Sequence, residues 1–155
     1  MKHVVVIALL LVFGLSAQTA HAQLGAGLKV QYGLDAEEVQ VGGELHVPLG
    51  VIDGLTLVPA LEAYLGDEPS VVVLNGNVHY APPVSPTSAF RPYAGLGLAA
   101  VRVSVDDEGE THPGLNLIGG INFRAGPLTP FAQFTYRTGD ASDTSIGGGL
   151  RFIIQ

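Results

Sequence analysis

The stretch Leu24–Leu34, LGAGLKVQYGL, alternates residue by residue. Leu24, Ala26, Leu28, Val30, Tyr32 and Leu34 form one face, and Gly25, Gly27, Lys29, Gln31 and Gly33 the other. A period of two puts successive side chains on opposite sides of an extended backbone, so this is a strand with one apolar face and not a helix. The pattern returns over Val39–Leu49, Leu55–Leu65, Val71–Tyr80, Phe90–Val105, Leu115–Arg124, Leu128–Arg137 and Thr144–Ile154. Within Phe90–Val105 the apolar set changes phase at Ala99-Ala100, which predicts a β-bulge. Asp53-Gly54, Pro82-Pro83, Gly126-Pro127 and Gly139-Asp140 supply turn chemistry between the runs. Eight such strands predict an all-β fold, an eight-stranded antiparallel up-and-down β-barrel.

Upstream, Met1-Lys2-His3 is basic, Val4–Leu15 is apolar, and Ser16–Ala22 is small and polar, ending Ala20-His21-Ala22. That order is a secretory signal with an A-x-A site, predicting cleavage after Ala22 and a barrel domain over residues 23–155. The apolar run is too short to span a bilayer as a helix, ~18 Å against ~30 Å. The chain has no Cys, which excludes disulfides, thiolate metal sites, a cysteine nucleophile and a lipid-modified Cys behind the signal. A net charge of -7 argues against a nucleic-acid partner, because phosphates need neutralising.

Alternation does not say which face is inside. A soluble lipocalin-like barrel would turn its apolar face to the lumen and bind an apolar ligand there. A membrane barrel would turn it to lipid. Three features favour the transmembrane β-barrel. The strand bodies carry only Glu44 and Glu62 as acids, and their polar face is otherwise mostly Gly, Asn, Gln and Thr, poor in charge for a surface in water. Connectors that fall alternately on the two ends segregate charge. Asp35, Glu37, Glu38, Asp67, Glu68, Asp106, Asp107, Glu108, Glu110, Asp140 and Asp143 share one end, and only Asp53 the other. On the apolar face, Tyr32 and Tyr136 sit toward the acidic end and Tyr80, Phe123 and Phe152 toward the opposite one, as two aromatic girdles would. Ten residues tilted ~40° rise ~26 Å, close to the ~25 Å lipid band.

The polar face then lines a narrow lumen. If Asp35–Glu38 is a four-residue hairpin loop, Lys29 falls opposite Glu44 as a lumen charge pair, either a gate or lumen filling. By the same counting Glu62 faces Asn75 and Arg91 faces His79, with Arg124, Arg137 and Arg151 as further lumen groups. A signal that leaves the N-terminus in the periplasm would make the acidic end extracellular. Its carboxylates could gather cations, although their spacing matches no Ca²⁺ loop.

Phe90–Leu98 (FRPYAGLGL), Leu115–Phe123 (LNLIGGINF), Pro130–Tyr136 (PFAQFTY) and Ser145–Phe152 (SIGGGLRF) resemble the small bacterial outer-membrane barrels of the OmpA-transmembrane-domain and OmpX-like type. The resemblance covers the whole chain after the signal. It implies an outer-membrane location, a lipid environment, and recognition of the last strand by the barrel-insertion machinery. In that family the last strand usually ends on an aromatic residue, whereas here three residues follow Phe152. Some such barrels are lipid-modifying enzymes, but the His-x-Ser pair of the deacylase barrels is absent at His46-Val-Pro48 and His79-Tyr-Ala81, and His112 lies beside Pro113. No GxSxG or HExxH motif occurs either. The expectation is a structural, envelope or minor-channel protein with no catalytic residues, cofactor or metal.

Overall fold

A computed structural model describes residues 23–66, 69–105 and 108–154. Residues 1–22, on which the expected signal falls, and Asp67, Glu68, Asp106, Asp107 and Gln155 lie outside the described residues. The elements are β1 (Leu24–Gly33), β2 (Glu38–Pro48), β3 (Leu55–Tyr64), β4 (Ser70–Tyr80), β5 (Phe90–Val105), β6 (Glu108–Phe123), β7 (Leu128–Gly139) and β8 (Asp143–Ile154). Each pairs antiparallel with its neighbours in sequence, and β1 pairs with β8, which closes the barrel. Closure leaves no sheet edge along the wall.

The two faces divide as the alternation requires. Leu28, Leu96 and Leu98, on the outer face, are 67, 64 and 65 % exposed. Lys29, Gln31, Gln40, Glu44, Glu62 and Asn75 are all buried in the lumen. Tyr32 and Tyr136 point outward toward the acidic end, and Tyr80, Phe90, Phe123 and Phe152 point outward toward the end that holds Leu24 and Ile154. We call this second end the terminal end.

The structure corrects several expectations of register and strand bounds. The β1–β2 loop is Leu34–Glu37, because Glu37 takes a left-handed φ of 56° and closes the turn one residue early, pairing Gly33 with Glu38. Lys29 therefore faces Gly42, and Glu44 faces Gly27. The β3–β4 register is likewise displaced, so Glu62 faces Val73. In β4–β5, His79 faces Gly95, while Arg91 faces Asn122 across β5–β6.

The bulge at Ala99-Ala100 does not form, since β5 keeps unbroken register with both β4 and β6. What changes there is the lumen. Val73, Ala99 and Val101 are buried inside near the acidic end, packed with Tyr64, Val71, Val103 and Ala141. Finally, β6 begins at Glu108 instead of Leu115, so Glu108 and Glu110 lie in a long β5–β6 hairpin.

Candidate functional site in the barrel lumen

Glycines make room for the lumen charges. Lys29 lies between Gly42 on β2 and Gly149 on β8. A Cβ at Gly149 would collide with the Leu28 carbonyl oxygen, and one at Gly42 would meet Leu61 O at 2.7 Å and Glu62 Cγ at 2.9 Å. Only glycine lets the strands close at this level and leaves the space to a long side chain.

Lys29 Nζ lies 2.5 Å from Glu62 Oε1 and 3.8 Å from Glu44 Oε2. The lysine thus bridges two carboxylates, and the nearer is not the one that sequence counting put opposite it. Glu44 Oε1 also accepts from Arg151 Nε at 2.8 Å and contacts His46 Nε2 at 2.8 Å. Glu62 accepts from Asn75 Nδ2 at 2.9 Å and from Arg137 Nη2 at 3.3 Å. Arg137 donates onward to Asn116 Oδ1 and to Tyr64 OH, both at 3.2 Å.

Asp143 completes the column. It was expected on the acidic rim, but as the first residue of β8 it turns into the lumen and is 5 % exposed. It accepts from Gln40 Nε2 at 2.7 Å, from Tyr64 OH at 2.8 Å and from the Asp35 backbone N–H at 3.3 Å. The lumen column therefore holds Lys29, Arg137 and Arg151 against Glu44, Glu62 and Asp143, three cations and three carboxylates. Buried charge is tolerated when it is paired and hydrogen-bonded in this way.

Amides and aromatics fill the rest of the cross-section. Asn116 Nδ2 donates to Asn75 and Asn77, and Tyr93 OH donates to Gln133 at 2.8 Å. The Arg151 guanidinium lies 3.9 Å from the Phe131 ring centre and 4.8 Å from that of Tyr93, close enough for cation–π attraction.

Two expected lumen residues lie elsewhere. Arg124 follows the end of β6 and is exposed, donating to Pro86 O. Arg91 sits at the terminal mouth, donating to Ala81 O at 2.5 Å and Pro82 O at 3.2 Å. The loop between β4 and β5 contains Pro82, Pro83 and Pro86, which have no N–H, and the two arginines cap its carbonyls.

At the acidic end, Asp35 accepts from the Thr144 backbone N–H at 2.7 Å, Glu37 is exposed in its turn, and Glu38 opens β2. Glu110 and Asp140 approach His112 at 3.8 and 4.0 Å. Among the described residues, no group of three or more His, Asp or Glu is placed to hold a metal ion.

A lumen built from charges and amides over most of its length is the reverse of an apolar-ligand pocket, and an outer wall of leucine is the reverse of a soluble surface. The chain has the fold of the small eight-stranded outer-membrane barrels. It superposes on the N-terminal β-barrel domain of Pseudomonas aeruginosa OprF with a TM-score of 0.71 at 17 % identity, covering 86 % of this chain and 100 % of that one. Neisserial surface protein A matches with a TM-score of 0.59 at 14 % identity, over 86 % of this chain and 96 % of that one. The outer-membrane enzyme PagL matches with a TM-score of 0.51 at 14 % identity, over 84 and 99 %. No protein-family model matches the chain, and no curated protein matches it in sequence. These barrels share the architecture, and the fold is common to an enzyme and to proteins not described as enzymes.

Proposed function

We propose that the protein is an integral protein of a bacterial outer membrane, with a structural, envelope-maintaining or minor-channel role and no catalytic step. The observation that carries this reading is the inversion of polarity: a charge-paired lumen inside an exposed leucine-rich wall. In water that wall would be an aggregation surface, whereas in lipid it is the solvated one. The Met1–Ala22 segment supports export with cleavage after Ala22, and the last strand, β8, is the segment offered to the insertion machinery. With the N-terminus in the periplasm, the acidic end faces outward.

The non-catalytic part of the reading rests on what the histidines touch. His46 meets Glu44, His79 stacks on Tyr93, and His112 lies between Glu110 and Asp140. No histidine hydrogen-bonds a hydroxyl among the described residues, and a hydroxyl nucleophile needs such a base beside it.

Fractionation tests the proposal. The protein should leave membranes only with detergent, and an unboiled sample should migrate differently from a boiled one on a denaturing gel. Recovery in the soluble periplasmic fraction would refute it. The filled lumen also predicts little or no steady single-channel conductance in planar bilayers, since eight strands leave room only for packed side chains. A large constant conductance would contradict the observed column.

A further inference from the structure

The terminal mouth of the barrel holds a cavity of about 350 Å³. Its wall includes Arg91, Arg124, Arg151, His79, Ser88 and Asn122, and among the described residues no Asp or Glu lines it. Arg151 is neutralised by Glu44. Arg91 and Arg124 are not: their hydrogen bonds run to backbone carbonyls of the Pro-rich loop, and neither has a carboxylate within ion-pair distance among the described residues. Asp53, the acid in the connectors of this end, does not line the cavity.

A carbonyl positions a guanidinium without cancelling its charge, so two fixed positive charges border one concave space. His79 closes the inner side of this space. His79 is 5 % exposed, lines the inner wall, and its Nε2 has no hydrogen-bond partner. That Nε2 is closed to solvent and lies beside Gly95, so His79 forms the back of the cavity and contact with a ligand falls to the two guanidiniums.

We infer that this mouth is an anion-binding site for a phosphate group, held by the free guanidinium N–H groups of Arg91 and Arg124 with His79 behind them. Fork-shaped donors suit the tetrahedral oxygens of phosphate. The inference stands on the cavity and not on the membrane reading, because a free phosphate or a lipid headgroup presents the same chemistry.

The test is an NMR titration of the arginine Nε–Hε resonances. The folded barrel in maltoside micelles is titrated with inorganic phosphate. The resonances of Arg91 and Arg124 should shift saturably, and those of Arg102, on β5 opposite Thr111 toward the acidic end, should not. Arg91→Gln with Arg124→Gln should weaken binding by about tenfold or more, the worth of one charged hydrogen bond. Because those changes also release the loop, Ser88→Glu provides the second variant. It leaves both arginines in place, adds an internal carboxylate, and should weaken phosphate binding to a similar degree.

Nanodiscs of anionic against zwitterionic phospholipid separate the sources. Shifts produced by the anionic bilayer without added phosphate identify a lipid headgroup, and shifts that need added phosphate in both bilayers identify a soluble ligand. Either result supports the site. The inference is overturned if the folded wild-type barrel shows no saturable shift with phosphate or anionic lipid. It is also overturned if Ser88→Glu binds as tightly as wild type.

Discussion

The inner and outer faces of this barrel are built from the same strands by opposite rules. Inside, each charge has a particular partner: Lys29 needs Glu62 and Glu44, Arg137 needs Glu62 and Tyr64, and Asp143 needs Gln40 and Tyr64. Outside, Leu28, Leu96, Leu98 and Leu117 need only an apolar surrounding. The inner face depends on geometry and the outer one on composition. Substitutions should therefore be judged by face and not by residue type.

Substitutions at three positions can break or sharpen that contrast. The largest effect should come from Glu62→Ala, which leaves Lys29 with Glu44 alone and takes from Arg137 the one carboxylate that it pairs with among the described residues. Removing one partner of a buried pair costs ~3–5 kcal/mol, and denaturant unfolding in detergent or lipid would measure it. Charge is what matters there, so Glu62→Gln should recover only part of the loss. Next comes Leu98→Arg, on the outer wall between Gly76 and Leu115. An arginine near the bilayer midplane costs ~2–4 kcal/mol. A neutral result in folded bilayer samples would mean that this wall does not meet lipid. The smallest effect should come from Leu28→Val, which removes one methylene from a lipid-facing side chain and costs under ~1 kcal/mol. If it rivalled Glu62→Ala, the outer face would be as geometrically exacting as the inner.

The faces also differ in how much the sequence reveals. Strand number and most of the outward set were legible because a period of two survives in the residues themselves, from Leu24–Leu34 to Thr144–Ile154, while the start of β6 was missed by seven residues. Register was not, because it turns on the conformation of single loop residues. Glu37 in a left-handed conformation moved the first hairpin, and no Asn or Gly marks that position.

The supposed bulge came from requiring every inward residue to be polar. Read without that requirement, Arg91, Tyr93, Gly95, Gly97, Ala99, Val101 and Val103 continue in one phase. Asp143 could have been found in the same way, two residues before Ser145 in the inward phase of β8, but its place in an acidic run suggested solvent. Arg124 erred oppositely: it keeps the phase of Asn122, but β6 stops at Phe123.

The central claim is that the leucine-rich wall meets lipid while the charge column fills the lumen. The absence of cysteine from the sequence allows a single spin label at Leu98→Cys without background labelling. Its relaxation in bilayers would be compared for two quenchers, apolar oxygen and a water-soluble nickel chelate. The account predicts strong relaxation by oxygen and almost none by nickel at this position. Strong relaxation by the nickel chelate in a folded, bilayer-reconstituted barrel would contradict it.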